Sequence, residues 1–459
     1  MLVRYLRVIA TAFVMGLAIS VPNAFAGMAE GDAAFKQGDW KTALKEFSAL
    51  ALAGNAIAQF NLGMMYEKGL GVDPDNSQAF EWYQKAAKNE NAYAQSKLGI
   101  YYSSGIGVKR NDERAAEWFR KAAEKGNAAG QAGLGFLYLT GRGVLQDYKK
   151  AAEWSQKAAQ QGMPTAQYNL GFIYQRSTGH RDYKQAAEWY RKAAQQGWAE
   201  AQNSLGNMYM DGIGVDRDYK QAFEWFEMAA QQGLAEAQVN LGRSYQNGMG
   251  VDRDYKQAFE WYERAAKQGL ADAQNNLGFM YLNGMGVDRN YKQAFEWHEK
   301  AAQQGMAIAQ NNLGFMYSNG VGVGRDYEQA FEWYEKAAKQ GLADAQVNLG
   351  FLYEKGSGVA QDRKKALKLF EQSARQGFAR AQLSLGDAYK YGWGMRENSE
   401  KAFYWNNKAA LQGDSEGQVR VAQAYEYGHG VKLDRNKALD WFRKAAAQGH
   451  PVAKDHLLR

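Results

Sequence analysis

The chain has 459 residues, 46% hydrophobic and 14% aromatic, with 56 Lys and Arg against 49 Asp and Glu. That apolar content suffices for a packed interior and excludes a disordered chain, while the absence of cysteine excludes disulfides, thiolate catalysis and cysteine-based metal sites. The formal charge of +7 raises nucleic acid as a ligand, but basic and acidic residues alternate and the longest basic run is Arg363-Lys364-Lys365, as on a solvated surface.

Residues 1–26 read as a signal peptide. Arg4 and Arg7 supply the charged start, Val8–Val21 is an apolar run, and Ala24-Phe25-Ala26 gives the small-x-small pattern before a cut at Gly27. A bilayer span wants about 20 apolar residues and this run has 14, so cleavage is expected in preference to an uncleaved anchor, with no membrane span once the segment is removed. Its loss takes away two positive charges and leaves +5. No cysteine follows the cut, so a lipid anchor there is not expected. The expectation is an exported protein, periplasmic or secreted. Residues 27–55 carry Ala33-Ala34-Phe35, Gly38-Asp39-Trp40, Ala43-Leu44 and Phe47, a short helical hairpin around a tight Gly-Asp turn. Such a hairpin suits the end of a repeat array, whose last apolar face needs covering.

From there the chain repeats. Trp82, Trp118, Trp154, Trp189, Trp225, Trp261, Trp297, Trp333, Leu369, Trp405 and Trp441 fall 36 residues apart, except for one step of 35. The missing residue lies in the turn written Gly179-His180-Arg181-Asp182, where an indel is tolerated. Eleven units therefore run over 56–450. In the unit Ala271–Met306, the residues Ala273, Leu277, Met280 and Tyr281 form one stripe of a first helix. Gly284 and Gly286 end it. A second helix opens at Asn290 with Gln293 three residues on, a pattern like a capping box. Its inner stripe is Ala294, Trp297, Ala301 and Ala302, and Gly305 stops it. Residues 451–459 begin one more first helix and read as a short closing cap.

The run Ala-Gln-x-Asn-Leu-Gly-x-x-Tyr-x-x-Gly-x-Gly-Val, followed by Ala-x-x-Trp-x-x-x-Ala-Ala-x-x-Gly, resembles the Sel1-like repeat family, kin of the tetratricopeptide repeats, and does so over 56–450. The resemblance implies an all-α fold, a right-handed α/α solenoid of about eleven 36-residue helical hairpins with a tetratricopeptide-like N-terminal cap. It also implies that first helices line a concave wall. Three places depart from the pattern and are expected to be locally irregular: Leu369, Gly392-Trp393-Gly394-Met395, and Ser177-Thr178-Gly179-His180.

Counting from the first residue of each unit, positions 5 and 9 are then expected to face the groove. Position 9 offers Phe136, Phe172, Phe279, Phe315 and Phe351; position 5 offers Asn275 and Asn311. The phenylalanines suit either a strip for apolar side chains of a partner or packing between hairpins. Position 6 carries Asn61, Asn169, Asn240, Asn276, Asn312 and Asn348. A carboxamide both donates and accepts, so spaced asparagines can hold extended backbone, or else bond a neighbouring turn. Position 2 adds Glu200, Glu236, Asp272 and Asp344, which bias a ligand toward basic segments or simply complement the helix dipole.

No catalytic constellation stands out. The five histidines have no i, i+4 pair of the kind that holds zinc, no Ser-x-x-Lys occurs, and the Gly-x-Gly-Val turns follow helices rather than strands. The expected function is a non-enzymatic scaffold that binds proteins or extended peptide segments, with no cofactor, metal or nucleic acid and with its oligomeric state open. Two alternatives come with the resemblance: a secreted factor binding a host glycoprotein, and β-lactam or cell-wall chemistry as linked to cysteine-rich relatives.

Overall fold

The computed structural model describes residues 26–176 and 181–458; the proposed signal peptide up to residue 25 and the 177–180 turn lie outside them. The described residues hold 25 helices and no strand. The first two, Ala26–Gln37 and Trp40–Leu52, form the leading hairpin. Asp39 caps the second by accepting a hydrogen bond from the Thr42 amide at 3.1 Å. Its Ala43 and Phe47 share a buried cluster with Ala34 and with Met65 of the first repeat.

Each repeat then contributes two helices, as Ala271–Asn283 and Tyr291–Gln303 show. The first ends at Gly284, which adopts a left-handed φ of 70° and returns its amide to the Met280 carbonyl. Two residues on, Gly286 has φ 71°, and a Cβ there would stand 2.1 Å from the Tyr255 carbonyl oxygen of the preceding repeat. Only glycine allows that approach, which seats one turn on the next. The second helix starts with half of the anticipated capping box. Asn290 Oδ1 accepts from the Gln293 amide at 3.1 Å. The reciprocal arm is absent because the Asn290 amide already donates to the Tyr281 carbonyl at 2.9 Å. Gln293 turns instead to Glu296 at 3.0 Å.

Together these hairpins make an α/α solenoid. The chain divides into two compact units, Met1–Ala237 with Met249–Val251, and Gln238–Gly248 with Asp252–Arg459. The same two devices build each unit. Inside a hairpin, a glycine in the middle of the first helix lies under a ring from the second. A Cβ on Gly99 would come within 2.5 Å of Phe119, and one on Gly206 within 2.6 Å of Phe226, in the first unit. In the second unit Gly242 lies under Tyr262, Gly314 under Tyr334 and Gly350 under Phe370. Burying such a ring contributes roughly 1.5–3 kcal/mol. Between hairpins run glutamine bonds to backbone carbonyls of the preceding repeat. Gln310 Nε2 donates to the Ala302 carbonyl at 3.2 Å, while its Oε1 accepts from Gln340 Nε2 at 2.8 Å. Gln340 also donates to the Gly305 carbonyl at 3.0 Å.

The tryptophans that mark the period are half-buried, and a basic side chain three residues on covers each of several rings. Lys300 Nζ lies 4.0 Å from the Trp297 centroid and Lys336 Nζ 3.8 Å from that of Trp333. Two of the three departures from the pattern are regular here. The helix Arg363–Arg375, with Leu369 in the tryptophan slot, has 13 residues like its siblings. Gly392 and Gly394 take φ 66° and 73°, the geometry of the other turns. The third falls on 177–180, outside the described residues. The final helix, Pro451–Leu457, buries Ala453. No helix among the described residues is long and apolar enough to cross a membrane.

Candidate functional site

In the second unit the first helices Ala271–Asn283, Ala307–Asn319, Ala343–Lys355, Ala379–Tyr391 and Ser415–Tyr427 follow one another. Position 9 of two of them faces solvent, with Phe279 43% and Phe315 46% exposed. Phe351 does not continue that row. It is half-buried, 5.1 Å from the Phe370 ring, and the Arg380 guanidinium covers it at 4.8 Å.

Position 5 is largely inside: Asn275 is buried and Asn311 half-buried. The asparagines of position 6 reach back to it across 37 residues. Asn312 Nδ2 donates to Asn275 Oδ1 at 3.1 Å and Asn348 Nδ2 to Asn311 Oδ1 at 3.0 Å. Arg380 Nη1 then donates to Asn348 Oδ1 at 3.3 Å. The same offset places Val239 opposite Asn276, which cannot pair in this way and is half-buried, one turn before Phe279. Asn240 is half-buried, and Asp272 and Asp344 are exposed at the helix starts.

The candidates of the first unit are more enclosed. Asn169 is 3% exposed; Asn61, Phe136 and Phe172 are half-buried, and Glu200 likewise. The Arg176 guanidinium lies 5.0 Å from the Phe172 ring.

Sequence reasoning passed over a second cluster, near the end of the array. Arg420 Nε donates to Glu416 Oε1 and its Nη1 to Asp387 Oδ1, each at 2.7 Å. Its Nη1 also meets the Leu383 carbonyl at 3.2 Å. Burial alone would raise the Glu416 carboxyl, but hydrogen bonds from Arg420 and His450 hold it below its ordinary value. The same network borders a cleft of about 570 Å³ that reaches Asn406. Asn406 is 8% exposed and its Oδ1 has no hydrogen-bond partner. Its signal was in the sequence: Asn406 occupies the slot that is Tyr262, Tyr334, Phe370 and Phe442 in sibling repeats. Among the described residues no group of three or more His, Asp or Glu side chains is placed to hold a metal ion.

Stacked helical hairpins with a variable exposed face define an α/α repeat protein of the interaction-scaffold type. The chain belongs to the Sel1 repeat family: the repeat matches at 56–91, 92–127, 128–163, 164–198, 199–234, 235–270, 271–306, 307–342, 343–378, 379–414 and 415–450. Sel1 repeats generally serve as protein-interaction scaffolds. The fold is similar to that of a protective antigen present in uropathogenic Escherichia coli strains, at 36% identity and a TM-score of 0.74, covering 90% of this chain and 89% of that one. It is also similar to a Sel1 repeat protein from Oxalobacter formigenes, at 33% identity and a TM-score of 0.52, over 70% of this chain and 92% of that one. No curated protein gives a match.

Proposed function

We propose that this chain is a non-enzymatic exported scaffold that holds a partner protein by an extended segment laid along the first-helix face of residues 271–355. The observation that carries this reading is the pair Phe279 and Phe315, one repeat apart and nearly half exposed. Large apolar side chains in register on a polar surface suit a partner whose side chains come at matching intervals. Asn276, set opposite Val239 instead of an amide, supplies donor and acceptor for backbone beside the first ring. Asp272 and Asp344 favour a segment carrying basic residues. Export is supported by Arg4, Arg7, the apolar run 8–21 and Ala24-Phe25-Ala26.

The test compares residues 27–459 with its Phe279→Ala/Phe315→Ala variant as baits in a bacterial envelope extract read by mass spectrometry. A protein enriched by the wild type should be lost, at least ten-fold, by a variant that melts at nearly the same temperature. Equal capture by both baits would sink the reading, and covalent labelling of the chain by penicillin would overturn its non-enzymatic part. The likeness to a protective antigen favours a second reading for location, in which the protein reaches the outside of the cell. Fractionation into periplasm and culture medium decides between them.

A further inference from the structure

The cleft at Asn406 has a nearly filled counterpart one repeat earlier. There the space is bounded by Glu354, Arg363, Ala366, Leu367, Phe370, Ala388 and Trp393 and amounts to about 10 Å³. Adding 36 to each number gives Lys390, Ser399, Ala402, Phe403, Asn406, Ala424 and His429, all of which line the large cleft of about 570 Å³. The two places share their backbone frame, and where the first has a phenylalanine ring the second has an asparagine. A Cβ on Gly350 would meet the Phe370 ring at 2.6 Å, and one on Gly386 would meet Asn406 Oδ1 at 2.2 Å, so both side chains sit over the same glycine. The carboxamide stops short of the space that a ring fills elsewhere. A dry cavity of about 150 Å³ already admits benzene, so the room here is ample for a ring.

The walls suit one as well. Tyr391 and Tyr427, 54% and 62% exposed, stand at the cleft one repeat apart. The charged groups lining it are Asp387 and Glu416 against Lys390 and Arg420, which balance and favour a neutral guest. In sibling repeats the phenol at this slot bonds to position 12 of its own first helix. Tyr262 Oη donates to Gln246 at 2.7 Å, and Tyr334 Oη lies 3.4 Å from Ser318 Oγ. Position 12 here is Lys390, whose ammonium can donate to a phenol oxygen.

We propose that the cleft over Asn406 is a receptor pocket for a phenol ring, namely a tyrosine side chain of the bound partner, which takes the place of the ring this repeat lacks. The assignment rests on the scaffold reading above and adds the side chain that the partner must carry. Asn406→Phe is the decisive variant, because Phe370 and Phe442 show that the slot accepts that ring. The probes are N-acetyl-tyrosinamide and p-cresol, followed by melting temperature and by ligand-observed NMR on residues 27–459. The wild type should melt higher as either probe is added, since a ligand that binds only the native state shifts unfolding by mass action. Asn406→Phe should melt higher than the wild type without probe and show no response to either. Response to p-cresol alone would assign the pocket to small free phenols instead of a peptide tyrosine. No probe binding by the wild type, equal binding by Asn406→Phe, or a lower melting temperature for that variant would each overturn the proposal. The two readings fail separately: Asn406→Phe leaves Phe279 and Phe315 untouched, and their double variant leaves the pocket intact.

Discussion

His298 occupies the ring slot of its repeat, fully buried, with neither ring nitrogen hydrogen-bonded. Burial disfavours the imidazolium and lowers its pKa from 6.5 to about 4. The sign of the linkage follows from that depression. Below pH 6.5 the unfolded chain takes a proton that the folded chain refuses until about pH 4. The contribution to stability is therefore whole above pH 6.5 and drains away as the pH falls toward 4. At 1.36 kcal/mol per pKa unit, the loss amounts to about 3 kcal/mol. His298→Phe should remove that part of the pH dependence. Urea unfolding at about pH 7.5 and pH 4.5 measures it, and an unchanged difference between the two pH values would refute the assignment. The sequence shows that His298 replaces a tyrosine. It does not show that the slot is closed to water, because closure needs the glycine of the facing helix.

At the scale of the helix, that glycine is the informative position. Replacing a mid-helix glycine by alanine ordinarily gains about 0.5–1 kcal/mol. At Gly314 the added Cβ would stand 2.7 Å from Tyr334 Cδ1 and 2.8 Å from Cε1, both in a buried ring. Overpacking of this kind costs about 1–3 kcal/mol, so Gly314→Ala should lower stability in spite of its better helix propensity. Chemical denaturation of the single variant gives the answer, and a neutral or positive change would mean that the helices can part at little cost. The helices themselves were legible residue by residue: the stripes, the closing glycines and the acidic or amide caps all stand in the sequence. The partners between helices were legible only in part. Asparagine at position 6 invited a ladder, yet the amide pair that recurs within repeats is made of glutamines such as Gln310 and Gln340. Asn312 and Asn348 spend a donor on Asn275 and Asn311 of the preceding repeat. Composition alone could not rank these two amides, since both side chains offer the same groups and differ by one methylene of reach.

For the array, the repeat is the unit of loss and gain. A hairpin contacts its neighbours through the same positions each time, so deleting one whole period preserves every remaining interface type. Removing residues 307–342 joins Met306 to Ala343, the usual first residue of a unit. The product should keep its helical signal per residue and a cooperative melt while losing Phe315. Removing 307–324 alone strips a first helix from its partner and should lower the melting temperature steeply. Circular dichroism of the two deletions separates the outcomes, and equal damage from both would contradict the modular account.

The period, the two helices in each unit, the positions of the turns and membership of the Sel1 repeat family were all decided by the order of residues, because each depends on contacts within a few turns of one segment. What faces solvent was decided only in three dimensions. Phe279 and Phe351 hold the same position in their repeats, yet one is open and the other lies between Phe370 and Arg380. Asn276 and Asn312 differ in what they meet 37 residues earlier, Val239 for the first and the Asn275 amide for the second. A repeated sequence specifies its own frame, whereas exposure belongs to the pair of neighbours that close over each side chain.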